Sequence, residues 1–433
     1  VSGARRLLFV SPHFPPDSAA ATHRARILAP HLPKFGWQPL VLTVDDDSIE
    51  GERDPELADS CRGIGRVVRV RAWPATRTRR LGFGDLGLRS YAALRRAAVA
   101  LAAAEPVAAT IVTTYPIYPA VIGAALKRSR GIPFVLDLQD PWVGAWGKDT
   151  GPGGAPDLRS RASRWIARRL ERRVATAADA FMSVSLRTLR DVVVRVPDAS
   201  RVPHLEVPIG WEPADWRRVR GDGRPNGLFQ PDDGCVHVCA VGTVLPTSLD
   251  GVRMFLCALR RIADEAPLDR RVRVWFVGTS NQRLPHVRRV VYPLAVAAGV
   301  DRVVEEVPER AAYFDALRIL RDAHVVLVMG SDEPHYSPSR VFPALASRRP
   351  VIARLHRASP AWPLLEAAAA SRPVALVDAT GDEATQVSAW MAALREMLAC
   401  ARESAADDAV LAPFAGEALA ADVARLLDRI TAR

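Results

Sequence analysis

The chain has 433 residues, 49% of them hydrophobic and 25% charged, with a formal net charge of +11; this is the balance of a globular protein, not a disordered one. The length is too great for one ordinary core and suits two α/β domains of about 200 residues each. The basic excess is almost all arginine and suggests anionic partners, but the basic stretches lack interleaved aromatics and no nucleic-acid module is recognisable, so nucleic acid is not expected as a partner.

From the amino terminus, VSGARRLLFVSPHF holds an apolar run of only a few residues before Pro12, too short for a signal-peptide core or a membrane span, and a cytoplasmic location is expected. Strand-like runs at Leu7 to Val10, Pro39 to Val44, Val67 to Val70, Thr110 to Thr114, Phe134 to Leu138 and Phe181 to Val184 alternate with helical segments. Several are apolar on both faces, as strands of a parallel sheet sandwiched between helices must be. The polar, Gly- and Pro-bearing stretch RRVRGDGRPNGLFQPDDG reads as a linker. Alternation restarts with strands at Val236 to Val241, Val272 to Val277, Val303 to Val307, Val325 to Met329, Val351 to Ala353 and Val374 to Val377. The expected architecture is α/β, with two Rossmann-like doubly wound parallel-sheet domains. Their expected bounds are 1–216 and 234–415, joined by a linker at 217–233, with a helical end at 416–433.

Two features read as bland. The five cysteines are odd in number and scattered, which argues against a disulfide framework; Cys235 and Cys239 share a strand face about 13 Å apart, too far to hold one metal. Asp45-Asp46-Asp47 looks like a metal motif, but no His or carboxylate cluster completes it, so a solvated loop and no metal are expected. The arginine-rich run Arg159 to Arg173 is an amphipathic helix with Ile166, Leu170 and Val174 on one stripe and Arg161, Arg164, Arg168 and Arg172 on another. Its basic face reads either as solvated or as a rest for anionic lipid.

In open α/β sheets, ligands bind beyond the carboxyl ends of the strands. In the second domain this selects Gly242, Thr243 and Thr247, then Gly278 and Thr279, then Val307, whose backbone suits the edge of a base. An ordinary strand-end loop is the alternative for each single turn. The densest candidate is SPSRVFPALASRRPVIA: Ser337 and Ser339 read as a helix entry, Arg340 adds a positive charge, and Pro343 fits only the first turn. Such an entry suits a phosphate or diphosphate.

The order VVEEVPERAAYFDALRILRDAHVVLVMG…SPSRVFPALASRRPVIA resembles the carboxy-terminal half of GT-B glycosyltransferases of the family 4-like group. Echoes at FVSPHFPP, VLDLQDPW, ERRVATAADAFMSVS, VPIGWEPADW and VCAVGTVLP extend the resemblance over most of the chain. It implies two domains facing a cleft, with a nucleotide-diphosphate sugar as co-substrate on the second, no other cofactor, and a hydroxyl acceptor on the first, whether glycan, lipid-linked or small molecule. It further implies a metal-independent reaction with retention of configuration, a final helix crossing back onto the first domain, and possible peripheral contact at the inner membrane face. Many relatives carry an Arg and a Lys after the first strand of the second domain; here GTVLPTSLDG has no cation. Their two glutamates fall at His335 and Pro343, whereas a YxxSKxxPyxxA form is matched by Tyr336, Ser339, Arg340 and Pro343.

On the acceptor side the resemblance points to Ser18, Thr22 as a helix cap, and Arg24 and Arg26 as anion contacts, with solvated helix charges as the alternative. Tyr115 and Trp142 complete this set. Asp140 and His23 are the candidate catalytic residues; Asp140 also suits a turn aspartate bonding its own backbone before Pro141. The glycine-rich VGAWGKDTGPGGAPD suits a lid. Two rivals share the fold: a sugar-nucleotide epimerase-like isomerase using His335, Glu333 and Asp332, and a non-catalytic GT-B partner protein. A dehydrogenase is disfavoured because no G-x-G-x-x-G follows a strand.

Overall fold

The computed structural model describes residues 4–114, 117–140, 142–143, 158–265, 272–280, 282, 286–334, 336, 338–401 and 408–432. The chain divides into two units, Val1–Gly210 with Gly416–Arg433, and Trp211–Ala415.

The first unit is built on a seven-stranded sheet of β1 (Arg5–Val10), β2 (Trp37–Val44), β3 (Arg66–Val70), β4 (Val107–Thr113), β5 (Phe134–Leu138), β6 (Ala180–Ser183) and β7 (His204–Glu206), in the order β3-β2-β1-β4-β5-β6-β7. Every neighbouring pair is parallel. β1 and β5 can be apolar on both faces because helices cover both. Leu7, Phe9, Ile111, Val135 and Met182 pack with the Thr22–Leu28 and Gly416–Thr431 helices, the latter contributing Leu419, Val423 and Leu427. On the other face Leu8, Val10, Leu42 and Val112 pack with Leu94 and Ile122. The strand order reverses between β1 and β4, which opens a crevice at their carboxyl ends. β7 was not expected: its three residues, His-Leu-Glu, form an edge strand with no apolar run.

The second unit holds six parallel strands, β8 (Val236–Val241), β9 (Val272–Val277), β10 (Val304–Val307), β11 (Val325–Met329), β12 (Val351–Leu355) and β13 (Val374–Asp378), in the order β10-β9-β8-β11-β12-β13. Val238, Val274, Leu327 and Ile352 pack with Phe255 of the Leu249–Glu265 helix and Trp390 of the Glu383–Ala399 helix. Here the switch lies between β8 and β11.

The stretch expected to be a linker is part of this unit. Its polar residues have fixed partners: Asp222 pairs with Arg318, a residue only 1% exposed, at 2.6 Å, and Asn226 donates to Asp322 at 3.0 Å. A composition rich in Asp, Asn and Gly resembles a linker, but these side chains bind the Tyr313–Asp322 helix. No helix among the described residues is long and apolar enough to cross a membrane.

Candidate active site

In the second unit, β8, β9 and β10 end in step: the Gly242 amide donates to the Val277 carbonyl and the Gly278 amide to the Val307 carbonyl. Gly242 and Gly278 have φ of 119° and 74°, a region that glycine enters without a Cβ penalty. The Arg340 guanidinium lies over Gly242, 3.4 Å from an ideal Cβ there, which is ordinary van der Waals contact, and its Nη2 donates to the Thr243 carbonyl at 2.8 Å. Gly242, Thr243 and Arg340 therefore meet at the switch between β8 and β11. Thr247 and Ser339 are exposed, and Tyr336 is half-buried with its carbonyl accepting from the Ser359 hydroxyl. His335 and Ser337 lie outside the described residues.

Two expectations on this edge change. The helix after Ser339 spans only Val341–Ala346, with Pro343 in its first turn, and the Val341 and Phe342 amides donate to the Pro338 and Ser339 carbonyls. The turn leading into the helix thus engages donors that a bare helix start would leave open, and Arg340 is the anion-attracting group of the segment. Thr279 is 1% exposed, and its hydroxyl donates to the Glu306 carboxylate at 2.5 Å. Glu306 also accepts the amides of Val290, Val291 and Tyr292, fixing the start of the Tyr292–Ala298 helix. The Thr279 hydroxyl belongs to that brace and not to a phosphate.

In the first unit, Asp17 shapes the loop after β1 by accepting from the Ala19 amide and bonding His13 Nδ1. Ser18 is half-buried in this loop. Thr22 is not a cap: it starts the helix after Ala21, is fully buried, and its hydroxyl has no partner among the described residues. Arg24 and Arg26 also differ from expectation, being 1% and 4% exposed. Arg24 Nε donates to Asp137 Oδ2 at 3.1 Å and Nη1 to the Pro208 carbonyl at 3.1 Å. Burial pushes the Asp137 carboxyl above its usual range against the opposing pull of Arg24. Arg26 Nε donates to His23 Nδ1 at 3.1 Å. Arg26 can only donate, so His23 Nδ1 is the acceptor of this bond, on a half-buried ring.

Asp140 is exposed in the turn after β5. Trp142 is 4% exposed and packs in a core cluster with Leu138 and Ala120 instead of facing a ligand, and its indole N–H has no partner among the described residues. Tyr115 and residues 144–157, which hold most of the expected lid, lie outside the described residues.

The Leu158–Ala177 helix buries Glu171 and Val174, with Ala167 and Leu170 half-buried beside them. Ile166 falls one residue off that stripe and is 41% exposed beside Trp165 at 63%, contrary to expectation. Around them Arg161, Arg168, Arg169, Arg172 and Arg173 are exposed. Glu171 receives two bonds from Arg195, each 2.7 Å, which fasten this helix to the Leu186–Arg195 helix. In the early acidic run, Asp45 caps a turn through the Ser48 amide, Asp46 pairs with Arg69 and Asp47 with Arg53. Among the described residues no group of three His, Cys, Asp or Glu could hold a metal ion.

Among the buried cations that sequence reasoning did not foresee, two bear on these edges: Arg24 through its partnership with Asp137, and Arg354 in β12. In both cases the available signal was a charged residue inside an apolar strand, Val-Leu-Asp-Leu in β5 and Val-Ile-Ala-Arg-Leu in β12.

Two doubly wound parallel sheets, each with its own switch point, make the architecture of GT-B glycosyltransferases. The Anabaena protein Alr3699/HepE, solved with UDP and glucose, is 15% identical with a TM-score of 0.55, the match covering 99% of this chain and 97% of that one. The Burkholderia xenovorans UDP-forming α,α-trehalose-phosphate synthase, solved with glucose-6-phosphate, is 12% identical at TM-score 0.61, covering 98% and 100%. A putative UDP-N-acetylglucosamine 2-epimerase from Listeria monocytogenes is 11% identical at TM-score 0.53, covering 97% and 94%. No curated protein matches the sequence. Residues 20–206 match the glycosyl transferase 4-like domain. The chain has the fold of GT-B glycosyltransferases, and residues 20–206 of its first unit are similar to the glycosyl transferase 4-like domain.

Proposed function

We propose that the chain moves a glycosyl group from a nucleotide-diphosphate sugar to a hydroxyl acceptor, with retention of configuration and without a bound metal. The bond from the anomeric carbon to the diphosphate oxygen breaks, a bond to the acceptor oxygen forms, and the acceptor proton leaves with the diphosphate or a nearby base. The observation that carries this reading is Arg340 seated over Gly242 and bonded to the Thr243 carbonyl at the switch of the second sheet. There a cation meets the charge that develops on the departing diphosphate. The HepE complex, which holds UDP and glucose on the same fold, favours a uridine nucleotide as donor.

On the first unit, Asp140, exposed in the turn after β5, and His23 are the residues proposed to act on the acceptor hydroxyl. Trp165 and Ile166 among exposed arginines have the composition of an interfacial helix, which fits a lipid-linked acceptor approached from an anionic membrane surface. The test is incubation with a panel of UDP- and GDP-sugars and lipid-linked or free glycan acceptors in excess EDTA, reading nucleotide release and the anomeric coupling of the product. Release of UDP or GDP with a retained glycosidic bond is expected. An epimerised donor without transfer would turn the reading to the isomerase, and absence of any donor reaction to the partner protein.

A further inference from the structure

Arg354 lies within β12 and is 0% exposed. Its Nε donates to Gln386 Oε1 at 2.8 Å and its Nη1 to Asp332 Oδ1 at 2.6 Å, while Nη2 has no partner among the described residues. Arginine keeps its charge even when buried, so an unfilled donor on a fully buried guanidinium is an unmet demand for an acceptor. Among the described residues Asp332 is the carboxylate paired with it, and the Asp332 side chain is 48% exposed on the loop after β11.

The surroundings add positive potential. Gly251 is the third residue of the 17-residue Leu249–Glu265 helix, and an ideal Cβ there would lie 2.7 Å from Arg354 Nη1 and 2.9 Å from Cζ. The first turn of that helix therefore rests on the guanidinium, and only a glycine permits it. Gln386 is the fourth residue of the 17-residue Glu383–Ala399 helix. The first turns of two long helices thus lie against a buried cation; Asp382 caps the second, while the first adds the positive potential of its start to that of Arg354. Arg354 pairs in register with Met329, and its carbonyl accepts from the Gly330 amide, one step below the carboxyl edge that carries Arg340 after β11.

We propose that Arg354 is a second donor-binding cation, whose Nη2 takes a phosphoryl oxygen of the nucleoside diphosphate at the positive end of the Leu249–Glu265 helix, with Asp332 holding the guanidinium in place until the phosphate arrives. This rests on the nucleotide-sugar reading above. It makes Asp332 a competitor for the same cation, which a purely structural tie would not.

Calorimetry with UDP, GDP and the bare nucleosides uridine and guanosine tests it on three full-length proteins: wild type, Arg354→Gln and Asp332→Asn. Arg354→Gln is expected to weaken binding of the preferred nucleoside diphosphate by about 10-fold to 100-fold while leaving the nucleoside unchanged. Asp332→Asn removes a like charge from the anion's neighbourhood and frees Nη1, so diphosphate binding should tighten several-fold. Should Arg354→Gln fail to fold, Asp332→Asn decides alone: tighter diphosphate binding upholds the assignment, and equal or weaker binding overturns it. In a folded Arg354→Gln protein, an unchanged diphosphate affinity, or an equal loss for nucleoside and diphosphate, would also overturn it. Failure of wild type to bind either diphosphate would overturn the nucleotide-sugar reading itself and this inference with it.

Discussion

The two sheets present the same kind of carboxyl edge yet use their arginines in opposite ways. In the first unit Arg24 follows the first strand at a place where an anion contact is natural, but Asp137 on β5 faces it and draws it inside. In the second unit no carboxylate among the described residues of a neighbouring strand pairs with Arg340, which stays half-buried over Gly242. Placement at a switch point is thus not enough to make an arginine a ligand contact. A buried acid on the adjoining strand holds the guanidinium inside, with Nε and Nη1 engaged and Nη2 without a partner among the described residues.

The largest effect should come from breaking the first pair. Arg24→Met leaves Asp137 buried without its cation, so stability should fall by about 3–5 kcal/mol, and adding Asp137→Leu should restore much of it. Urea unfolding of the two variants checks this. Because the Asp137 carboxyl is raised above its ordinary 3.8, its contribution is full below that value and lost as pH climbs through the raised one. An Asp137→Asn protein should lack that slope.

Next comes Asp140→Asn, which keeps size and removes basicity. A residue that handles the acceptor proton should cost on the order of 10²-fold in turnover at unchanged donor affinity and melting temperature. Near-normal turnover with a lowered melting point would make Asp140 a turn residue. Arg340→Ala should weaken nucleoside diphosphate binding by about 10-fold with little change in melting temperature, the reverse of the Arg24 pattern. Calorimetry and thermal melts on both arginine variants would erase the contrast if the two behaved alike.

The smallest effect concerns Asp382, which caps the helix that carries Gln386. Hydrogen bonds from Thr385, first its amide and then its hydroxyl, hold the Asp382 carboxyl below 3.8. Its contribution is present above the ordinary value and lost as pH falls through the lowered one. Asp382→Ala should therefore lower the melting temperature slightly at neutral pH, with the gap closing in acid.

Most of the fold could be read from apolar runs, because a parallel strand buried on both faces announces itself. Phe134–Leu138, Val236–Val241, Val272–Val277 and Val325–Met329 appear as strands with the expected bounds. β7 escaped because an edge strand of three mixed residues carries no such run. Arg354 escaped for a related reason: the expected strand stopped at Ala353, since a charge ordinarily ends an apolar run, and only tertiary partners reveal that the strand continues through it. On the donor edge, glycines marked where the backbone turns, but no local pattern says that the Thr279 hydroxyl is bound by Glu306, which lies on a neighbouring strand.

The excursion of the chain into the second unit and its return have a consequence for biosynthesis. Gly210 and Gly416 are adjacent in the architecture but separated by the whole second unit, and the Trp211 amide reaches the Phe414 carbonyl where the outgoing and returning segments run side by side. The ribosome delivers β1 to β7 before the second unit, yet the helix that covers Leu7, Phe9 and Ile111 arrives only after it. The early-made unit must wait with part of its apolar surface uncovered while the late-made one can close on its own, inverting the usual order in which domains mature during translation. A nascent chain stalled before Gly416 should therefore hold a finished second half and an unfinished first, a state that chaperones recognise by its exposed sheet face.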